Sequence, residues 1–352
     1  MLPPRLAADD PRLATRHLLA LPDDVAADEV EALAVSRFLG ARWDTPVPAT
    51  APRGRAARDP LAGVGVLRLS RHSSAAGPFA LAPDDAARLG LPPGAATAYL
   101  ISAPRERGEP PYPGGDRDGL KRAFPDGMPV RDEERVLRWL VDAARRLGGA
   151  VRVADGAAVL APDPAGATDL TVYSAVRLEP GAALAVVQRV VPGARLAMDA
   201  VPWTGPRPDA LPVDAPVPAI GERVRRRVQE RAAAWDAEAL AAPDPLDGYG
   251  IEVVQDADGV VVVEAGSDAG GVAVLPVALR GLTWPADGVA TYRVRWEPAD
   301  DEEAEQENPP AAHRAARDRA QPVVAAVARA LYAAVGGEVM DAAEFLVEPV
   351  DL

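Results

Sequence analysis

Cysteine is absent from this chain, which removes disulfides, thiolate nucleophiles, cysteine-zinc sites and iron-sulfur clusters from consideration. Histidine is scarce: His17, His72 and His313 stand far apart in different predicted elements, so a multi-histidine metal site requires three distant segments to converge. Lysine occurs once, at Lys121, the other basic residues being arginine. Together with abundant alanine, glycine and proline, this reads as the codon bias of a GC-rich genome. No run approaches the roughly 18 to 20 apolar residues of a membrane-spanning helix. The N-terminal Met-Leu-Pro-Pro-Arg-Leu-Ala-Ala-Asp-Asp lacks an apolar signal core, and cytoplasmic residence is the expectation. Positive charge is in deficit as well. A formal net charge of −14 repels phosphate backbones and anionic lipid, so the expected partner is a protein, not nucleic acid or a membrane.

What the chain does have is length and an internal echo. With 352 residues, 48% of them hydrophobic, it can build two or three cores. A strand, a long polar loop, a helix ending in Gly-Gly and a closing strand occur twice. The first copy starts at Ala98, passes through the helix to Leu147 and turns at Gly148-Gly149. The second starts near Thr291, passes through Ala311 to Val335 and turns at Gly336-Gly337. Each such unit needs a neighbour to cover its apolar face.

The apolar spacing of Val25, Val30, Leu33, Ala34, Phe38 and Leu39 predicts a helix over Asp23 to Trp43, followed by a Pro and Arg-rich linker to Pro60. Strands are expected at Val64 to Arg71, Tyr99 to Ile101, Ala150 to Ala154, Ala157 to Ala161, Asp169 to Leu178 and Ala194 to Ala200. In the C-terminal part they are expected at Ile251 to Val254, Val260 to Glu264, Val272 to Leu279 and Tyr292 to Trp296. Asp155-Gly156 and Asp258-Gly259 supply tight turns. Helices are expected at Asp84 to Leu89, Asp132 to Leu147, Ala182 to Val191, Ile220 to Leu240 and Ala311 to Val335. The prolines of Pro202 to Pro218 mark a second, semi-rigid linker. The expected domains are an N-terminal helix and linker (1–60), a first half (61–201), the linker 202–218 and a second half (219–352). The fold class is α+β, two related halves each with a mixed or antiparallel sheet and covering helices, of a ferredoxin-like or similar split β-α-β type.

Candidate chemistry is thin. Asp116 and Asp118, in the glycine-rich Pro113 to Gly119, could present carboxylates to Mg2+ or Ca2+ with Asp126 joining them, but a calcium loop fails because Gly127 stands where a bidentate Glu is needed. Ser70 to Ser74 puts hydroxyls beside His72, which is better explained as a turn bonding its own backbone. Arg71 and His72 retain the capacity to bind an anion. The basic run Glu222 to Arg231 reads as a solvated face, and Trp203 and Trp284, each beside a proline, are candidates for a binding surface. The leading expectation is a non-catalytic binding, regulatory or assembly protein without a cofactor. One alternative is a metal-assisted hydrolase or transferase built on Asp116, Asp118 and Asp126, with Arg117 or Lys121 steadying an anionic substrate. Another is an acidic protein that sequesters or inhibits a basic partner through Asp300 to Glu307.

Overall fold

The computed structural model describes residues 3–48, 63–154, 158–198, 248–255, 258–268 and 275–352, with scattered helical positions between 223 and 237. The Pro202 to Pro218 linker with Trp203, the Asp155-Gly156 turn, and most of the first linker and of the Ile220 to Leu240 helix lie outside the described residues.

The first group of elements is β1 (His17–Leu21), α1 (Ala27–Arg37), β2 (Arg42–Thr45), β3 (Gly65–Arg68), β4 (Ser74–Ala80), α2 (Pro83–Arg88), β5 (Thr97–Ser102), α3 (Leu120–Ala123), α4 (Arg131–Arg146), β6 (Ala150–Arg152) and β7 (Val159–Leu160). Then follow β8 (Leu170–Ser174), α5 (Pro180–Gln188), β9 (Arg195–Met198), β10 (Gly248–Val254), β11 (Val260–Asp268), β12 (Val289–Glu297), α6 (Asp301–Ala304), α7 (Ala311–Val335) and β13 (Glu338–Asp341). They form two antiparallel sheets, β2-β3-β4-β5-β1-β6-β7 and β13-β8-β12-β11-β10-β9. This is an α+β protein.

The two sheets share one topology. In each, four consecutive strands form a meander, the unit's first strand lies beside the last of the four, and its sixth lies beside the first. A helix follows the first strand (α1, α5) and another precedes the sixth (α4, α7). The expected split β-α-β is therefore present twice, as β5-α4-β6 around β1 and β12-α7-β13 around β8. The sheet around it has six common strands, more than a ferredoxin-like unit holds. β1 and β8 stand at equivalent central places, so 61–201 supplies strands to both sheets and β1, from 1–60, sits inside the first.

The Gly-Gly echo has a steric cause. Gly148 and Gly336 adopt φ of 64° and 66°, positive values that glycine reaches without a Cβ penalty. The second glycines, Gly149 and Gly337, press against the carbonyl oxygens of Ala20 in β1 and Tyr173 in β8, where a Cβ has no room.

The halves differ in how they are covered. In the first sheet Leu19, Leu21, Tyr99 and Ile101 pack with Val136, Trp139 and Leu140 of α4 and with Val30 of α1. Leu18, Ala20 and Leu100 face the other way, against Phe79, Ala86 of α2 and the N-terminal Leu6 and Leu13. β1 is therefore buried at every residue. Among the described residues the second sheet is covered on one face, by α5 and α7. Its β12 accordingly alternates, with Tyr292, Val294 and Trp296 inward and Arg293 at the surface.

Several elements depart from expectation. The Asp23 to Trp43 helix shortens to α1, whose start is fixed by Glu29 Oε1 accepting the Ala26 N–H at 2.8 Å, and Trp43 belongs to β2. The strand expected at Val272 to Leu279 gives way, over its described part, to a 3-10 turn at Val277–Leu279. Pro276 immediately before it has no N–H to offer a ladder. β8 stops at Ser174, whose hydroxyl donates to the Val335 carbonyl at the end of α7 at 2.8 Å.

Phe345 joins the halves. After β13, Asp341 Oδ1 accepts the N–H groups of Ala343 and Phe345 at 2.9 Å each, and Glu344 turns with φ 62°. Phe345 then lies fully buried in the first half's core.

Candidate functional site: an arginine-lined cleft

The carboxylates singled out from sequence are not brought together. Asp116 accepts the N–H groups of Lys121 and Arg122 at 2.9 and 2.8 Å, capping α3. Asp118 pairs with Arg145 and with Arg117. Asp126 is exposed. Among the described residues no three His, Asp or Glu side chains converge as a metal site requires. The acidic tract is engaged with its own chain. Asp300 caps α6 through Glu302 N–H at 2.9 Å, the Glu305 carbonyl accepts the Asp116 N–H at 2.8 Å, and Glu307 pairs with Arg122 at 2.6 Å. The two excursions that precede α4 and α7 thus clasp each other.

Arg71 and His72 lead to a different place. They sit on the β3-β4 turn, at the wall of an open cleft of about 910 Å³. Ser70 Oγ accepts the N–H groups of His72 and Ser73 at 3.0 Å each, the self-bonded turn read from the sequence. The Ser70 and Ser73 hydroxyls in turn donate to Asp132 Oδ2 at 2.7 and 2.5 Å, which ties the turn to the first turn of α4. Burial alone would raise the Asp132 carboxyl; the bonds from Ser73, Ser70 and Arg135 outweigh it and hold the group below the usual range. The Ser70 and Ser73 hydroxyls are thereby committed to a carboxylate, and His72 Nε2 accepts from Arg71 Nε at 2.7 Å, so no Ser-His nucleophile forms.

The cleft is cationic. Arg37 and Arg42 come from the end of α1 and from β2, Arg68 and Arg71 from β3 and its turn, Arg131 and Arg135 from α4, and Arg280 from the second half; Glu106 and Asp132 are the carboxylates in the same wall. Asp44 takes up part of this charge, 2.7 Å from Arg68 and 3.9 Å from Arg42. Arg37 crosses between the halves, donating to the Ala343 carbonyl at 2.6 Å and standing 3.6 Å from Glu344. Arg135 pairs with Asp132 and lies 5.2 Å over the Phe38 ring. Arg131 is 3.4 Å from Glu106 with its side chain 82% exposed, and its φ of 56° places a non-glycine residue in a conformation that costs on the order of 1 kcal/mol. Arg280 donates Nε to the Leu275 carbonyl at 2.9 Å. Among the described residues neither Arg71 nor Arg280 is paired with a carboxylate. Exposed Leu39 adds an apolar patch to the rim.

Behind this wall lies a polar triad of Glu133, His17 and Arg107, the first two of them buried. Glu133 is fully buried; its Oε2 accepts from the Glu106 N–H at 2.8 Å and from Arg107, and its Oε1 stands 3.4 Å from His17 Nε2. His17 Nδ1 accepts the Ala154 N–H at 3.1 Å, so its proton resides on Nε2, facing the carboxylate. Burial raises the Glu133 carboxyl, but the His17, Glu106 and Arg107 bonds dominate and lower it. The triad anchors the loop that carries Glu106 into the cleft.

Planar guanidiniums bind carboxylates and phosphates through paired hydrogen bonds. In a chain of net charge −14, a wall of arginines runs against the sign of the whole. From the sequence Arg71 and His72 stand out, but the other six arginines and the cleft itself do not, because those residues are scattered from Arg37 to Arg280. The one contiguous basic run, Glu222 to Arg231, is helical and exposed at its described positions, none of which lines the cleft. Trp284 is half-buried at the start of the 3-10 turn Trp284–Asp287, outside the cleft lining.

No family model, no curated protein and no solved structure matches this chain.

Proposed function

We propose that the protein is a non-catalytic binding or assembly protein that takes an acidic segment of a partner protein into the arginine-lined cleft. The observation that carries this reading is the concentration of Arg37, Arg42, Arg68, Arg71, Arg131, Arg135 and Arg280 around one opening in an acidic chain. A volume of about 910 Å³ gives room for a short segment carrying several carboxylates. Exposed Leu39 offers an apolar anchor beside them, and Arg280 makes the second half part of the wall. A polynucleotide matches the cleft but must approach against the charge of the remaining surface, which disfavours it.

The test is fluorescence anisotropy with a labelled glutamate-rich peptide and, separately, a labelled single-stranded oligonucleotide, over a range of ionic strength. The expected result is saturable peptide binding that weakens as salt screens the pairs, with the oligonucleotide bound more weakly. Absence of peptide binding at low salt, or tighter binding of the oligonucleotide, overturns the reading.

A further inference from the structure

A second cavity, of about 220 Å³, lies where the connector between the two sheets meets α7. Arg145, His313 and Arg317 stand in its wall with side chains 7%, 5% and 7% exposed. Carboxylates line it too, but each already has a cation. Asp118 holds Arg145, Asp163 accepts from Arg317 at 2.7 Å, Asp169 from Arg293 at 2.8 Å and Glu307 from Arg122. The charge of each carboxylate is thereby compensated.

A donor is left over. Arg317 Nε is buried with no hydrogen-bond partner among the described residues, the Asp318 carboxylate being 3.9 Å away. Leaving such a group unsatisfied costs about 1 to 3 kcal/mol, and a folded chain that carries one has an acceptor to supply from elsewhere. His313 packs against Trp296 with ring centroids 5.1 Å apart, and Thr168 and Gln306 add a hydroxyl and an amide to the wall. The volume is below the roughly 300 Å³ at which pockets begin to take drug-sized ligands, and suits an anion of a few heavy atoms.

We infer that this cavity is a binding site for a small oxyanion, inorganic phosphate or a short dicarboxylate, held by the buried Arg317 with His313 and Thr168 beside it. The site joins α4 of the first half to α7 of the second, so the bound anion ties the halves together. It stands apart from the arginine-lined cleft and does not depend on that cleft's role.

The test titrates phosphate in one arm and malonate in the other into the full chain, reading thermal unfolding and the His313 imidazole signals by NMR. The expected result is a saturable shift of the His313 signals and a higher unfolding temperature in at least one arm. The arm that responds identifies the oxyanion. Arg317→Gln weakens binding about ten- to a hundredfold, the loss of a hydrogen bond to a charged group. Because Arg317 also holds Asp163, Thr168→Val serves as the companion variant that keeps this pair and weakens binding to a lesser degree. The inference is overturned if neither anion moves the His313 signals at tens of millimolar, or if both variants bind as the parent does. It is equally overturned if binding is lost in Arg71→Glu/Arg280→Glu and kept in Arg317→Gln.

Discussion

Arg71, on the β3-β4 turn of the first half, and Arg280, behind the 3-10 turn of the second, stand in the wall of the same cleft. Neither has a carboxylate partner among the described residues; their Nε groups are taken by His72 Nε2 and the Leu275 carbonyl. Among the described residues their remaining guanidinium donors have no bond in place, and their shared place in the cleft depends on the contact between the halves.

That contact is tested at Phe345. Its fully buried ring fills the core of the first half from a turn belonging to the second. Phe345→Ala should cost about 3 to 5 kcal/mol, as a large-to-small core change does, and should weaken binding at the cleft while leaving Arg71 in place. Urea unfolding measures the first effect and titration of the glutamate-rich peptide the second.

The repeated glycines give a stereochemical test. Gly149→Ala forces a Cβ onto the Ala20 carbonyl, at a cost of about 2 kcal/mol or more. Gly337→Ala meets the Tyr173 carbonyl and also a φ of 97°, adding roughly 1 kcal/mol of backbone strain. Gly148→Ala meets no atom within 4 Å and should cost only the left-handed backbone term of about 1 kcal/mol. Denaturation midpoints should be lowest for Gly337→Ala, intermediate for Gly149→Ala and highest for Gly148→Ala.

Acid sensitivity should trace to Glu133. Its carboxyl is lowered in the folded chain, so the stability it contributes is complete above the ordinary glutamate value of about 4.3 and is lost as pH falls through the folded value. Glu133→Ala should cost about 2 to 3 kcal/mol near neutrality, below the figure for a wholly buried pair because Arg107 reaches solvent. The variant should lie closer to the parent in strong acid. Unfolding curves across pH measure this.

His313 acts in a higher window. Burial lowers its proton affinity; Glu303 and Asp300 pull it up and Arg317 pulls it down, with a lowered net result. As pH falls below the ordinary imidazole value of about 6.5, the unfolded chain takes up the proton first, and stability declines toward the folded value. His313→Gln should remove that part of the slope, as unfolding midpoints on either side of pH 6.5 would show.

Much of the architecture was legible in the sequence because period and punctuation agree there. α4 and α7 combine amphipathic spacing with a Gly-Gly stop, and β10-β11 has its Asp-Gly turn. β1 was not, since it is buried on both faces and His-Leu-Leu-Ala-Leu carries no alternation to distinguish strand from helix. β4 was obscured by Gly77-Pro78, which reads as a break. Losing these two strands displaced the division into halves, because β1 occupies the middle of the first sheet. The cleft was legible only at Arg71 and His72: a site assembled from the end of α1, from β2, from β3 and its turn, from the start of α4 and from a segment of the second half leaves no spacing signature. The Asp116, Asp118 and Asp126 string looked site-like because polar residues and glycines also build caps and turns, which is how Asp116 is used.

The central claim is tested most directly by calorimetric titration of the glutamate-rich peptide into the parent chain and into Arg71→Glu/Arg280→Glu. Both substitutions are at the surface and should leave the unfolding temperature within a few degrees of the parent. The account predicts that the parent binds and that the double reversal weakens binding by at least about a hundredfold, two charge-assisted contacts being replaced by repulsion. Equal affinity for the two proteins, with both folded, would contradict it.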